Sequence, residues 1–156
     1  MTSSLPHPMI EHIKHKEQML ALILRNNYHS DGIEFFTPNK FTQQLGYMNR
    51  PKDYEIQPHV HNPVIREVSY TKEVLIIKKG CVRVDFYNDK QNYLESRILR
   101  TGDIVLLAFG GHGFKMLEES EIVEVKQGPY AGEADKTRFA PISDDKVILK
   151  ETSDVS

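Results

Sequence analysis

The chain has 156 residues and a formal net charge of −2, from 20 basic and 22 acidic side chains. An apolar fraction of 39% beside 27% charge is that of a globular protein with a sizeable core, which excludes a disordered chain. The even charge balance gives no electrostatic footprint for nucleic acid or an anionic membrane, and no apolar run approaches the ~18–20 residues that span a bilayer.

Pro8–Arg25 is the one stretch that invites a helix, and the irregular spacing of Ile10, Ile13, Met19 and Leu22 confines any helix to its first half. Met19–Leu24 and Gly32–Phe36 are short apolar runs of strand type. Leu45–Met48 ends at an Arg50-Pro51-Lys52-Asp53 turn, where proline fixes φ and removes a donor. Tyr54–His61 alternates and is stopped by Pro63. Val74–Ile77 predicts a buried strand ending at Lys78-Lys79-Gly80. Val82, Val84 and Phe86 alternate with Arg83 and Asp85, the period of a half-buried strand that leaves Arg83 at the surface. Asn88–Asn92 reads as a hairpin loop before Tyr93–Leu99, and Gly102-Asp103 as a turn before Ile104–Leu107. Gly110–Gly113 is a further turn that aims His112 inward, and Ile122–Gln127 is the last clear strand. Many short strands with turn residues between them predict an all-β sandwich or barrel.

Cys81 is the sole cysteine, which excludes an intrachain disulfide and a cysteine-based metal framework. The first 17 residues carry His, Lys and Glu instead of the apolar stretch of a signal peptide, so the expectation is a soluble cytoplasmic protein. His7, His12 and His15 are expected in a polar, solvent-exposed N-terminus. The tail from Asp144 is polar apart from Val147-Ile148-Leu149, which would pack as an edge element, with the last six residues frayed.

His59-Val60-His61 carries the most chemistry. At i and i+2 of a strand, two imidazoles share one face and form a partial ligand set for a first-row transition metal. Six residues separate Glu73 from Gly80, and Gly102 precedes Gly110 and His112 across an apolar strand. In these features the sequence resembles the cupin superfamily, whose first motif has the form G(x)5HxH(x)3–4E(x)6G and whose second has the form G(x)5PxG(x)2H(x)3N. The likeness runs from Tyr54 to Gln127. It departs from the pattern in four places. Eleven residues separate His61 from Glu73, Ala108 stands at the proline, His112 comes one residue early, and the final asparagine is missing. Glu67 competes as the carboxylate but lacks a glycine at the matching distance.

The resemblance implies a jelly-roll cupin barrel, a double-stranded β-helix, over residues 17–142. A short N-terminal extension (1–16) would precede it and a tail (143–156) follow it. It also implies one divalent transition metal (Fe, Mn, Ni, Co, Cu or Zn) held by His59, His61, Glu73 and His112, and a homodimer. Three imidazoles and a carboxylate would leave open positions and a net charge of about +1, which favours an anionic or oxygen-donor substrate. The expected function is therefore a metal-dependent enzyme, an isomerase or oxygenase, whose small polar substrate chelates the metal. A non-catalytic binding barrel and a metal-independent sugar-nucleotide isomerase are the alternatives, the latter from a looser likeness of Glu73–Leu107 to sugar-nucleotide ketoisomerases.

Tyr47, Asn49, Arg50 and Arg66 are candidate substrate contacts from the turn and loop flanking the histidines. Glu124 and Lys126 share one face of the last strand. The register with Val123, Val125 and Gln127 inward is the expected one, because burying charges is expensive unless they are paired. Cys81, in a turn with no histidine neighbour, carries no nucleophile role.

Overall fold

The computed structural model describes residues 9–150; His7 and the last six residues lie outside them. Ten strands account for the regular structure: β1 (Ile10–His15), β2 (Gln18–Leu24), β3 (Gly32–Phe35), β4 (Gly46–Asn49), β5 (Glu73–Lys79), β6 (Cys81–Tyr87), β7 (Tyr93–Arg100), β8 (Ile104–Leu107), β9 (Gly111–Met116) and β10 (Glu121–Lys126). Two short 3-10 turns, Gly132–Asp135 and Asp144–Lys146, complete it, and there is no α-helix among the described residues. Among the described residues no helix is long and apolar enough to cross a membrane.

The chain divides into two units, residues 29–69 and the remainder. The larger unit holds two antiparallel sheets, a five-stranded one in the order β1-β2-β8-β5-β10 and a three-stranded one in the order β7-β6-β9. Inward side chains of both sheets form one apolar cluster. Ile13, Leu20, Ile23, Leu75, Ile77, Val105 and Leu107 come from the first sheet, and Val82, Val84, Phe86 and Leu99 from the second. Burial of each such side chain contributes about 1.5–3 kcal/mol. β2 and β8 are buried along nearly their whole length, which is why they read as continuous apolar runs. Gly80 joins β5 to β6 at φ +101°, and a Cβ there would stand 2.5 Å from the Glu119 carbonyl oxygen.

The smaller unit is built on the antiparallel β3–β4 hairpin, in register from Gly32↔Asn49 to Phe35↔Gly46. Gln44 ties its connection together, donating to the carbonyls of Pro38 and Phe41 at 2.9 and 2.8 Å while its own oxygen pairs with Thr37 Oγ1. Residues 50–69 have no strand.

Four expectations are corrected. The helix in the first half of Pro8–Arg25 is β1. Its buried Glu11 faces inward with Ile13 and binds Arg25 and Arg97, so a charge occupies what the pattern needed as an apolar position. Tyr54–His61 alternates like a strand but is irregular and exposed. Pro58 and Pro63 supply no N–H, and no neighbouring strand pairs with it.

Arg83 is buried at 7% exposure. It makes a bidentate pair with Asp85, at 2.8 and 3.0 Å, on the face of β6 opposite the core. The residues after Phe139 reach that face. Ile142 N donates to Tyr87 Oη, Ser96 N donates to Ile148 O at 2.8 Å, and Leu149 bridges Ser96. The fourth correction concerns β10 and belongs to the site.

Candidate functional site

Glu73 opens β5 on the same face as Leu75 and Ile77, two and four residues on, so it continues the core face to its polar end. Its cross-strand partner in β10 is Lys126. His112 lies in β9 directly opposite the core residue Phe86, on the inner face of the other sheet. Glu73 and His112 therefore reach toward each other from different sheets, and Oε2 meets Nε2 at 3.2 Å. Gly110 makes this approach possible at φ +77°, where a Cβ would stand 2.5 Å from the Tyr87 carbonyl oxygen. His112 is thus presented by a strand that begins inside the expected turn.

Lys126 Nζ lies 3.4 Å from Glu73 Oε1 and 3.5 Å from Asp135 Oδ2, and Thr71 Oγ1 donates to Asp135 Oδ1 at 2.6 Å. The hydrogen bond from His112 is the main influence holding the Glu73 carboxyl below the usual carboxylate range. The charges of His112 and Lys126 add to it and burial opposes it. Asp135 is held down chiefly by the Thr71 hydrogen bond.

These groups line a cavity of about 650 Å³ in the larger unit. That volume suits a small molecule. Aromatic rings form part of its wall, with Tyr70 edge-on to Phe109 at 5.3 Å and Phe139 edge-on to Tyr87 at 4.9 Å. Burial pushes the Tyr87 phenol up. Phe139 belongs to the segment after β10 that also supplies Asp135 and Arg138 to the lining.

Glu124 and Lys126 line the cavity and Ile122 packs on the core, whereas Val123 and Val125 are exposed. The expected register is reversed. The argument against buried charge fails here because Lys126 finds two carboxylates, one of them directly across the strand pair.

His59 and His61 stand in the exposed strand-free segment of the smaller unit, with ring centroids 5.3 Å apart. His59 Nδ1 lies 2.9 Å from the Gln57 carbonyl oxygen, which can only accept, so Nδ1 is the donor of that hydrogen bond. The structure thus forms two pairs from the four expected ligands, His59 with His61 and Glu73 with His112. Among the described residues no three His, Cys, Asp or Glu side chains gather into a group able to hold a metal. The cavity pair alone offers two donors, fewer than the three or four protein ligands of a typical transition-metal site.

Tyr47, Asn49, Arg50, Arg66 and Glu67 also belong to the smaller unit. Tyr47 and Asn49 are half-buried in β4, and the Arg50 guanidinium sits 4.6 Å from the Tyr54 ring centroid. Arg66 and Glu67 are exposed. Thr71, Tyr87 and Asp135 were not legible as site residues. Asp135 sits in an unpatterned turn, and Thr71 becomes informative only through its bond to Asp135. No family model, no curated protein and no solved structure matches this chain.

Proposed function

We propose that the protein is a cupin-type enzyme that moves a proton on a small polar carbonyl substrate bound in the larger unit's cavity. The observation that carries this reading is the 3.2 Å contact between His112 Nε2 and Glu73 Oε2 at the cavity wall. With Nε2–H donating to the carboxylate, Nδ1 is the free base, and Glu73 stabilises the imidazolium formed when it takes a proton. Lys126 has three ammonium donors, of which Glu73 and Asp135 take two. The third is available to negative charge developing on a substrate carbonyl oxygen.

Abstraction from the carbon beside that carbonyl and return to the same or a neighbouring atom gives epimerisation or isomerisation. The test is deuterium incorporation from D2O into a panel of sugar phosphates and nucleotide-linked keto sugars, followed by proton NMR. Incorporation by the full chain should fall about 10²–10⁴-fold in His112→Gln. Undiminished incorporation by that variant would sink the reading.

A metal centre is the second reading, favoured because Glu73 and His112 are two of the four expected ligands and already face one another. On this reading the purified chain carries about one transition metal, lost in both Glu73→Ala and His59→Ala and released near pH 6 as imidazole protonates. Metal retained in both variants removes it.

A further inference from the structure

The segment after β10 is held differently from the strands around it. Gln127 and Lys72 are tied twice, Gln127 N donating to the Lys72 carbonyl oxygen at 3.2 Å and Lys72 N to Gln127 Oε1 at 2.8 Å. The next backbone tie to a strand is Ile142 N, which donates to Tyr87 Oη at 2.9 Å. Between them, among the described residues, the backbone bonds only within its own 3-10 turn. Of residues 128–142 only Gly132, Phe139 and Ile142 are half-buried, and the others are exposed. A stretch with no ladder and few buried contacts opens at a small fraction of the global unfolding free energy.

Side-chain contacts at both sheets hold this segment over the cavity, whose lining includes residues 135–139. At the five-stranded sheet, Asp135 accepts from Thr71 Oγ1 at 2.6 Å and lies 3.5 Å from Lys126 Nζ. At the three-stranded sheet, Phe139 packs edge-on against Tyr87 and lies over Gly111, where a Cβ would stand 3.0 Å from its ring. Gly111 lacks a positive φ, so what its missing side chain provides is room for that ring, one residue from His112. Beyond Ile142, Asp144 binds Arg83 and Lys115 and fixes the far end.

We infer that residues 128–142 are a hinged strap that admits substrate by swinging off the cavity, and that its closure completes the site by delivering Asp135 to Lys126. This rests on the proton-transfer reading of the same cavity. With the strap closed, Lys126 has two carboxylates in place and one ammonium hydrogen aimed at the substrate oxygen. With it open, one of the two anchors is gone and the ammonium is no longer fixed. Asp135 is therefore a positioning residue. Closure also keeps water from the His112 imidazole during proton transfer.

Limited trypsinolysis of the full chain reads the strap without a substrate. Lys136 and Arg138 are exposed cleavage sites within it, and cutting follows the population of the open form. Thr71→Val and Tyr87→Phe each remove one latch and leave the sequence of the strap unaltered. Cleavage after Lys136 should quicken about tenfold in Thr71→Val, which loses a bond to a carboxylate, and about threefold in Tyr87→Phe. Cleavage after Arg83, inside β6, should stay as it is in the parent. Carbethoxylation of His112 by diethyl pyrocarbonate, mapped by mass spectrometry, should rise by the same factors.

Unchanged strap cleavage in either variant overturns the strap, since the segment is then a fixed wall. So does a parent cut as fast as a free peptide of residues 124–142, because nothing then latches it. Quicker cleavage with unchanged His112 labelling overturns it as well, as the segment would open without gating the cavity. If the variants fail to fold, the urea dependence of the unaltered chain decides. Cleavage after Lys136 should set in well below the urea concentration needed for cleavage after Arg83, and coincident onsets overturn the strap. None of these readouts needs turnover, so a failed deuterium-incorporation assay and a failed strap are separate results.

Discussion

Two charge clusters in the larger unit use the same kinds of groups in opposite surroundings. On the outer face of β6 and β7, Arg83, Asp85 and Ser96 are all under 9% exposed, and every polar atom of the Arg83–Asp85 pair that the tail reaches is matched. At the cavity, Glu73, His112 and Lys126 are partly open and their contacts are 3.2–3.4 Å long. A short, enclosed, fully satisfied network serves the fold. A looser network facing empty volume can exchange a protein partner for a substrate.

The sharpest break of that comparison is His112→Gln. Turnover should drop about 10²–10⁴-fold, while urea unfolding shifts by less than about 1 kcal/mol. A stability loss as large as the activity loss would put the cavity cluster in the same class as the β6 network.

Asp85→Ala is the converse. It strands a buried guanidinium and should cost about 3–5 kcal/mol in urea unfolding, with the purified fold retaining its proton-transfer activity per folded molecule.

A smaller effect is expected where the network meets solvent. Asp144 ties the tail to Lys115 and to Arg83, and its carboxyl is held below the ordinary range first by the Lys115 hydrogen bond and then by Arg83. Its folded pKa is lower than its unfolded one, so its stabilisation is complete above the unfolded value, about 3.9, and is lost as pH falls through the folded value. The thermal midpoint of Asp144→Asn should therefore lie below that of the parent at pH 7 and converge with it as pH falls through the folded value. A constant gap across this range would mean the latch is not ionic.

Least of all should follow from Arg138→Gln. Its pair with Glu133 at 3.1 Å lies wholly at the surface, and the thermal midpoint should not move measurably.

The strands most legible in the sequence are those whose local pattern and tertiary role agree. β2, β5 and β8 are apolar runs buried in the sheet, and Val82, Val84 and Phe86 alternate because one face of β6 meets the core. β1 was hidden because Glu11, an ion-pair hub, takes an inward position. β9 was hidden because two of its first three residues are glycines, and with Gly110 before them they read as a turn. Tyr54–His61 misled in the other direction. Alternation supplies a strand's two faces but not the neighbour whose carbonyls and amides it must pair with.

The candidate site divides the same way. Glu73 and His112 were named through the resemblance to the cupin motifs and face one cavity; Lys126 was weighed and turned outward on a desolvation argument that only its two carboxylate partners reverse. By itself the sequence determined an all-β chain of short strands, no disulfide, and the titratable groups available for chemistry. Composition and period are local properties, and they survive without contacts. The tertiary structure alone decided which way β10 faces, why Arg83 is buried, and which of the expected ligands meet. Each of those depends on a partner far away in the chain, and the free energy of a charge is set by its neighbours more than by its own residue type.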